Sequence, residues 1–301
     1  MKKPAVILVV CLSLTLNLSA QIAGSGKVAV IINNKPSPAE NFTSSRPQVT
    51  DSNLQSPSPG LNLTTGTSKY YALVIGINEY LDPAISTLNY CIRDAEAINN
   101  ILLSGYTFEK ENVTFLKNAT MAEIVQSLDH FAKVVTPKDN FLIFYAGHGV
   151  WDAASEIGFW LPADARRESK LAWFRNSTLR DYLREIHSKH TLLITDACFG
   201  GSIFKSRAAF TDAPLAINKL YELPSRKAMT SGTLTEVPDQ SAFLKYLFDR
   251  LSKNEEKYLS SEQLFSSFRI AVINNSNVVP QFGEIKEVGD EGGDFVFIRR
   301  Q

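Results

Sequence analysis

The stretch NFLIFYAGHG, residues 140–149, decides the fold, because a continuous apolar run ends there at a histidine between two glycines. Apolar runs without alternation are typical of strands that are buried on both faces of a parallel sheet. Comparable runs occupy residues 71–75, 113–116 and 191–195, and a shorter one occupies residues 227–230. We therefore predict that residues 140–145 form the third strand of a parallel sheet.

Between these runs, apolar residues recur at intervals of three and four, as they do along one face of an amphipathic helix. This spacing predicts helices that include Leu88–Leu102, Ile124–Val135 and Leu179–Ile186. Two further helices are predicted near Ala242–Leu251 and Ser261–Ile273, ahead of a last strand over 294–298. Alternating strands and helices predict an α/β fold, a three-layer sandwich around a mainly parallel, six-stranded sheet.

Composition excludes several classes of protein. The chain has 301 residues, of which 44% are hydrophobic and 21% charged, so it is neither wholly disordered nor collagen-like. Basic and acidic residues are equal in number, 31 of each, which gives no long-range attraction to nucleic acid or to an anionic membrane. Three cysteines are too few for a disulfide scaffold or an array of zinc knuckles.

The amino terminus has the order of a secretory signal peptide. Lys2 and Lys3 precede an apolar run over Ala5–Leu16, and small residues follow up to Ala20. A membrane anchor is the alternative, but the run is shorter than the roughly 20 residues that a spanning helix needs. We therefore expect residues 1–20 to be cleaved, and the protein to be exported to the periplasm or the exterior without stable membrane insertion.

The chain beyond the signal peptide divides into two parts. Residues 21–68 are rich in Ser, Thr, Asn and Pro, and we interpret them as a disordered linker or pro-segment, because they offer little apolar surface to bury. Residues 69–301 carry the strand and helix pattern and form the predicted domain. The sequence leaves the oligomeric state open.

Two strand ends carry reactive side chains. His148 follows the third predicted strand, and Cys198 follows the fourth. Because sites in open α/β sheets gather at the carboxyl ends of strands, we expect the imidazole and the thiol to face each other. A thiolate is a nucleophile, and a nearby imidazole both lowers the thiol pKa and protonates the leaving amine. The backbone N–H groups of Gly149 and Cys198 are candidate donors to the oxyanion.

These segments resemble the caspase-like cysteine peptidases, particularly metacaspases and paracaspases. The matching motifs are Tyr145–Gly149 and Asp196–Gly201, together with residues 71–76, 91–95, 280–283 and 292–297. The 50-residue separation of His148 and Cys198 agrees with the known caspase spacing. The resemblance covers roughly residues 70–300 and implies a caspase–hemoglobinase fold and a His148/Cys198 dyad. From the residues of this chain we expect no metal or other cofactor.

The resemblance also implies a substrate preference. In metacaspases, an Asp two positions before the nucleophile and another on the first helix line an acidic pocket for Lys or Arg, and Asp196 and Asp94 match them. Two carboxylates favour a cation and repel an Asp side chain. The structural alternatives are a helix N-cap for Asp94 and a loop carboxylate bonded to backbone N–H groups for Asp196. Arg93, next to Asp94, leaves an Asp-preferring pocket open.

Two departures from the family pattern bear on activity. Ala146 stands where metacaspases commonly have Ser, so one pocket hydrogen bond is missing. The segment after the nucleophile, Ser202–Arg207, carries cations where metacaspases carry acidic calcium ligands, which argues against calcium there. Lys205 and Arg207 become candidate self-cleavage sites if the enzyme cleaves after basic residues.

The sequence therefore supports one leading function and two rivals. The leading hypothesis is an exported cysteine endopeptidase that hydrolyses protein or peptide substrates after Arg or Lys. The first rival is a caspase-like peptidase that cleaves after Asp. The second is an inactive protein that uses the same fold to bind a partner, although the presence of both His148 and Cys198 counts against it.

Overall fold

A central mixed sheet organises the computed structural model, which describes residues 67–197, 203–207, 217–232 and 240–300. The strands in these ranges are β1 (Tyr70–Gly76), β2 (Val113–Lys117), β3 (Asn140–Ala146), β4 (Gly149–Asp152), β5 (Ile157–Trp160), β6 (Phe174–Arg175), β7 (His190–Asp196), β8 (Phe204–Arg207), β9 (Ser225–Thr230), β10 (Tyr258–Ser260), β11 (Gln281–Ile285) and β12 (Val296–Ile298). The helices are α1 (Cys91–Gly105), α2 (Met121–Val134), α3 (Asn176–Glu185), α4 (Ile217–Glu222), α5 (Ala242–Ser252) and α6 (Ser261–Asn275).

The central sheet has the strand order β2-β1-β3-β7-β9-β11-β8. The first five strands run parallel, whereas β11 is antiparallel to β9 and β8 is antiparallel to β11. The predicted α/β class with a mainly parallel sheet is confirmed. Six strands make up the body of the sheet, and the short β8 adds a seventh along its outer edge.

Helices cover both faces of this sheet. One face packs against α1, α5 and α6, and the other packs against α2 and α3. Successive residues of β1 alternate between the two cores: Ala72 and Val74 enter the first, and Leu73 and Ile75 enter the second. All seven residues of β1 are buried, which explains why the strand is continuously apolar instead of alternating. The predicted three-layer arrangement is therefore confirmed.

The identity of the sixth strand differs from the prediction. The apolar run over 294–298 contributes only β12, which pairs with β10 in a separate two-stranded sheet. The sixth place in the central sheet belongs to β11, whose sequence Gln-Phe-Gly-Glu-Ile is only partly apolar. The apolar character of this segment has another cause: Phe295 and Phe297 are fully buried among the helices of the first core. Hydrophobicity in this region therefore reports burial and does not identify the strand of the central sheet.

The junction between β1 and α1 is unusually close. A Cβ atom at Gly76 would lie 2.7 Å from the carbonyl oxygen of Cys91 and 2.8 Å from the Cβ of Ala95. The amino end of α1 is capped from the preceding loop, because the N–H of Ile92 donates to Oδ1 of Asn78 at 2.9 Å. Gly76 and Asn78 together fix the first turn of α1 against the end of β1.

We expect Gly76→Ala to lower the free energy of unfolding by about 3 kcal/mol, because a new methyl group would overlap backbone atoms in a packed core. Gly105, which ends α1 and has open space at its Cβ position, is the control. Gly105→Ala should leave stability almost unchanged. Urea denaturation of both variants measures the difference, and equal midpoints would contradict the close packing at Gly76.

The predicted signal peptide and almost all of the predicted linker, residues 1–66, lie outside the described part of the chain. In the part that is described, no helix combines the length and the apolar character needed to cross a bilayer.

Candidate active site

The register of the sheet aligns three strand ends in one row. Gly76 of β1 pairs with Ala146 of β3, and Ala146 pairs with Asp196 of β7. His148 therefore leaves the sheet two residues beyond Ala146. The predicted adjacency of the strands that lead to His148 and Cys198 is confirmed, because β3 and β7 pair along seven residues.

Two tyrosine hydroxyls and the backbone N–H of Leu161 hold the backbone of His148. Its N–H donates to the hydroxyl oxygen of Tyr80 at 2.9 Å, and its carbonyl accepts from the Tyr145 hydroxyl at 2.7 Å and from the N–H of Leu161 at 3.0 Å. Gly147 makes this arrangement possible, because a Cβ there would lie 2.8 Å from the Tyr145 hydroxyl. The Gly-His-Gly motif is thus shaped partly by packing against Tyr145.

The His148 imidazole has a backbone partner. Its Nε2 lies 2.8 Å from the carbonyl oxygen of Ser86 and 3.3 Å from the Ser86 hydroxyl. Because a carbonyl oxygen only accepts, Nε2 carries the proton in the neutral ring, and Nδ1 is left as the basic nitrogen. The Tyr80 ring lies 5.1 Å from the imidazole, centroid to centroid. Among the residues that the structure describes, no carboxylate contacts the imidazole in the way that Asp does in Ser-His-Asp triads.

Replacing Tyr80 with phenylalanine should disturb His148 through its backbone. The His148 N–H would lose its acceptor, and we expect about 1–2 kcal/mol less stability and about tenfold lower kcat for the peptide hydrolysis that the sequence analysis predicts. Tyr71→Phe, at the opposite end of β1 from this site, is the matched control. Unchanged kcat in the Tyr80→Phe protein would show that the hydrogen bond does not position the imidazole.

Gly149 begins β4, which pairs antiparallel with β5. Since the Leu161 N–H donates to the His148 carbonyl, residues 148 and 161 form a hydrogen-bonded pair of this ladder. Hydrogen-bonded and non-hydrogen-bonded pairs alternate along antiparallel strands, so Gly149 and Trp160 form the next, non-hydrogen-bonded pair. The Gly149 N–H therefore points away from β5, as a donor to a bound oxyanion must.

Cys198, predicted as the nucleophile and as a second oxyanion donor, lies outside the described residues, as do Gly200 and Gly201. The last described residue before Cys198 is Ala197, which follows β7 directly and is buried. The candidate self-cleavage residues Lys205 and Arg207 lie in β8, which pairs with β11 at the edge of the sheet.

Asp94 lies inside the first helix and is not its N-cap. Helix α1 starts at Cys91 with Tyr90 at the N-cap position, and the Asp94 N–H already donates to the Tyr90 carbonyl at 2.8 Å. The alternative role of Asp94 as an N-cap is therefore wrong. Its side chain is only 8% exposed and accepts from Arg93, whose Nε and Nη2 lie 3.2 and 3.0 Å from Oδ1.

Asp196 is the last residue of β7 and is buried. The Ser241 hydroxyl donates to its Oδ1 at 3.0 Å. Burial is the main cause that raises the pKa of Asp196 from 3.8 to about 7; hydrogen bonds from Ser231 and Ser241 oppose the rise, and the negative charge of Asp94 adds to it. The carboxyl group therefore changes charge near neutral pH, and a cation bound nearby would favour its ionised form.

A pocket of about 530 Å³ opens between α1 and the start of α5. Arg93 and Asp94 of α1 line one side of this pocket. The other side is lined by Ser241, which precedes α5, and by Lys245 and Phe248 of α5. Ser241 links this pocket to Asp196 and also caps α5, because its hydroxyl accepts from the Leu244 N–H at 3.2 Å. Both predicted substrate-binding carboxylates are thus connected to one pocket, which also contains two basic side chains.

The structure adds residues that the sequence analysis missed. A serine directly before the apolar pattern of α5 is a common N-cap signal, so Ser241 was detectable as a cap, although its bond to Asp196 was not. Tyr80 acts through its hydroxyl from a loop. Ser86 acts mainly through its backbone carbonyl, which every residue possesses, so no residue type marks the position.

The fold and this strand-end site define a caspase-type α/β domain. The family model described as Caspase domain matches residues 69–285, and the chain belongs to this family of cysteine peptidases.

Curated relatives resemble only part of the chain. Metacaspase-1 of Eremothecium gossypii is 33% identical over 93 residues, which are 28% of this chain and 20% of that protein. Metacaspase-1 of Cryptococcus neoformans is 30% identical over 122 residues, which are 38% of this chain and 26% of that protein. The matched region spans about a quarter or less of the length of these relatives.

A solved structure agrees in fold. Caspase-1 from Spodoptera frugiperda superposes with a TM-score of 0.53 over 73% of this chain and 89% of that one. At 14% sequence identity, this likeness shows the fold alone.

Proposed function

We propose that the protein is an exported cysteine endopeptidase in which Cys198 and His148 form the catalytic dyad and which cleaves after Arg or Lys. The observation that carries the proposal is the pairing of Ala146 with Asp196 at the ends of adjacent parallel strands. His148 lies two residues after Ala146, and Cys198 lies two residues after Asp196. Neighbouring strands lie about 4.8 Å apart, so this register favours an encounter of imidazole and thiol.

The orientation of His148 supports the chemistry. With Nε2–H donating to the Ser86 carbonyl, Nδ1 is available to accept the Cys198 proton. The thiolate attacks the peptide carbonyl, and the tetrahedral oxyanion receives hydrogen bonds from the N–H groups of Gly149 and Cys198. The imidazolium then protonates the leaving amine as the C–N bond breaks. Water, deprotonated by the neutral imidazole, hydrolyses the thioester and restores the thiol.

A basic residue before the scissile bond suits the two carboxylates of the pocket. Asp94 lines the pocket directly, and Asp196 is linked to it through Ser241. A substrate cation would stabilise the ionised form of Asp196, whose burial otherwise favours the proton. Cation binding is therefore coupled to loss of that proton and should strengthen as the pH rises through about 7.

A preference for Asp has its own supporting observation. Arg93 and Lys245 also line the pocket, and two cations could bind a substrate carboxylate. In this alternative, the Asp94 carboxylate would orient Arg93 toward the substrate.

Fluorogenic peptides that differ only in the residue before the scissile bond separate the two preferences. The full-length chain should hydrolyse the Arg and Lys peptides at least tenfold faster than the Asp peptide, as measured by kcat/KM. Faster hydrolysis of the Asp peptide would show that the pocket prefers an acidic substrate residue before the scissile bond. No hydrolysis of any peptide would favour a binding protein without activity.

Self-cleavage follows from the same preference. Arg207 is the last residue of β8, whereas Lys205 lies within it, so the bond after Arg207 is the one at the end of the strand. We expect fragments from cleavage after Arg207 in the wild-type protein and none in Cys198→Ala, as judged by intact mass. Identical fragments from both proteins would attribute the cleavage to another protease.

Export rests on residues 1–20. In a bacterial host, protein from the periplasm or the medium should begin at Gln21, and amino-terminal sequencing measures this directly. Retention of Met1 in the exported fraction would contradict signal cleavage.

A further inference from the structure

The side chain of Arg93 places a guanidinium group in the lining of this pocket. Arg93 donates to the Asp94 carboxylate through Nε at 3.2 Å and through Nη2 at 3.0 Å. Its guanidinium carbon also lies 4.3 Å from the centre of the Tyr90 ring. The pocket carboxylate thus already receives the kind of donors that an arginine substrate would present.

The two partners differ in their freedom to move. The Asp94 side chain is 8% exposed and held on α1, whereas the Arg93 side chain is 60% exposed. An exposed arginine leaves a carboxylate at little cost, because water solvates the guanidinium and exposed ion pairs are weak. A fixed carboxylate with an exchangeable cation is therefore suited to a competition between Arg93 and an incoming basic side chain.

We propose that Arg93 is an internal competitor for the carboxylate of Asp94, which a substrate Arg or Lys must displace. This inference rests on the proposed function and adds a residue that sets substrate affinity. Arg93 raises KM for basic substrates without taking part in the chemical step.

The competition has a defined kinetic consequence. Displacing Arg93 lowers the net affinity for a basic side chain, while the reacting groups at His148 remain unchanged. Removing the competitor should therefore improve binding and leave kcat unaltered. A residue with a purely structural role would have the opposite effect, because its loss disturbs the pocket and raises KM.

The test compares Arg93→Gln with the wild-type full-length chain on Arg and Asp peptides. We expect KM for the Arg peptide to fall about three- to fivefold with unchanged kcat, the size of effect typical of an exposed ion pair. Arg184→Gln is the matched control, because Arg184 is an exposed arginine that pairs with Asp181 on α3. It makes the same change of net charge away from the pocket and should leave KM unchanged.

A second readout does not depend on turnover. Agmatine carries the guanidinium of arginine but has no peptide bond, so its dissociation constant reports the pocket alone. In the Cys198→Ala background, Arg93→Gln should tighten agmatine binding by the same factor, whereas Arg93→Lys should bind it about as weakly as the protein with Arg93 intact.

The outcomes separate the inference from the proposed function. If the wild type cleaves after Arg but Arg93→Gln has an equal or higher KM, Arg93 is not a competitor. If the wild type cleaves only the Asp peptide and Arg93→Gln abolishes that activity, Arg93 binds acidic substrates and the proposed function fails.

Discussion

Cys198→Ala is expected to lower peptide hydrolysis at least about a thousandfold, because no other group can form the thioester when the nucleophile is absent. His148→Ala should cause a loss of similar size, since the thiol then lacks both its base and the acid for the leaving amine. The double variant should be no worse than either single one, because residues that act as a unit lose their effect together. Initial rates with the preferred peptide provide the comparison.

Cys91 supplies the matched control for the thiol. It is buried at the start of α1, close to Gly76 at the end of β1, and has no role in the proposed chemistry. Cys91→Ala should retain most activity and should still react with iodoacetamide at Cys198. If Cys91→Ala instead lost activity and labelling while Cys198→Ala kept both, Cys91 would be the nucleophile and Cys198 would not.

The second large effect concerns Asp196. Its folded-state pKa of about 7 lies above the ordinary value of 3.8, so the folded protein holds a proton that the unfolded chain releases. As the pH rises from about 4 to about 7, the unfolded chain is ionised at this position while the folded protein still holds its proton, so the stability falls over this range. The difference corresponds to about 4 kcal/mol. Asp196→Asn never ionises, and its carbonyl can still accept from Ser241.

We therefore expect Asp196→Asn to gain about 4 kcal/mol in unfolding free energy relative to the wild type between pH 4 and pH 8. The kcat/KM of Asp196→Asn for the Arg peptide at pH 8 should be at least tenfold lower than that of the wild type, because the pocket loses a charge. Urea denaturation at both pH values measures the first effect. Asp181→Asn, at an exposed carboxylate on α3, should show no such pH-dependent gain.

A relative stability that does not change with pH would mean that Asp196 remains ionised in the folded protein throughout this range. Stabilisation without loss of activity would instead remove Asp196 from substrate binding. The two measurements therefore test the burial of the carboxyl and its function separately.

The first four strands of the central sheet and the helices up to α3 could be predicted from sequence, because burial on both faces makes these strands continuously apolar, whereas the small sheet of β4, β5 and β6 was missed. The same rule failed near the carboxyl terminus. The apolar segment around Phe295 enters a helical core, while β11 has a mixed sequence and obtains its place from pairing with β9 and β8. Pairing between distant segments leaves little trace in local hydrophobicity.

The site divides in the same way. His148 is a candidate because a histidine between glycines at a strand end is a local signal, and Asp94 and Asp196 are candidates because of the family resemblance. The partners of these residues come from distant segments: Tyr80 and Ser86 from the loop after β1, and Ser241 from the start of α5. Their side-chain types alone do not specify these contacts, which depend on tertiary structure.

The bond from His148 to the Ser86 carbonyl has an evolutionary consequence. A main-chain oxygen survives every amino-acid substitution at its own position, so point mutations at codon 86 leave the acceptor chemically intact. Drift in this loop can therefore alter the side chain while the imidazole keeps its tautomer. Only insertions, deletions or substitutions that reshape the loop would remove this partner.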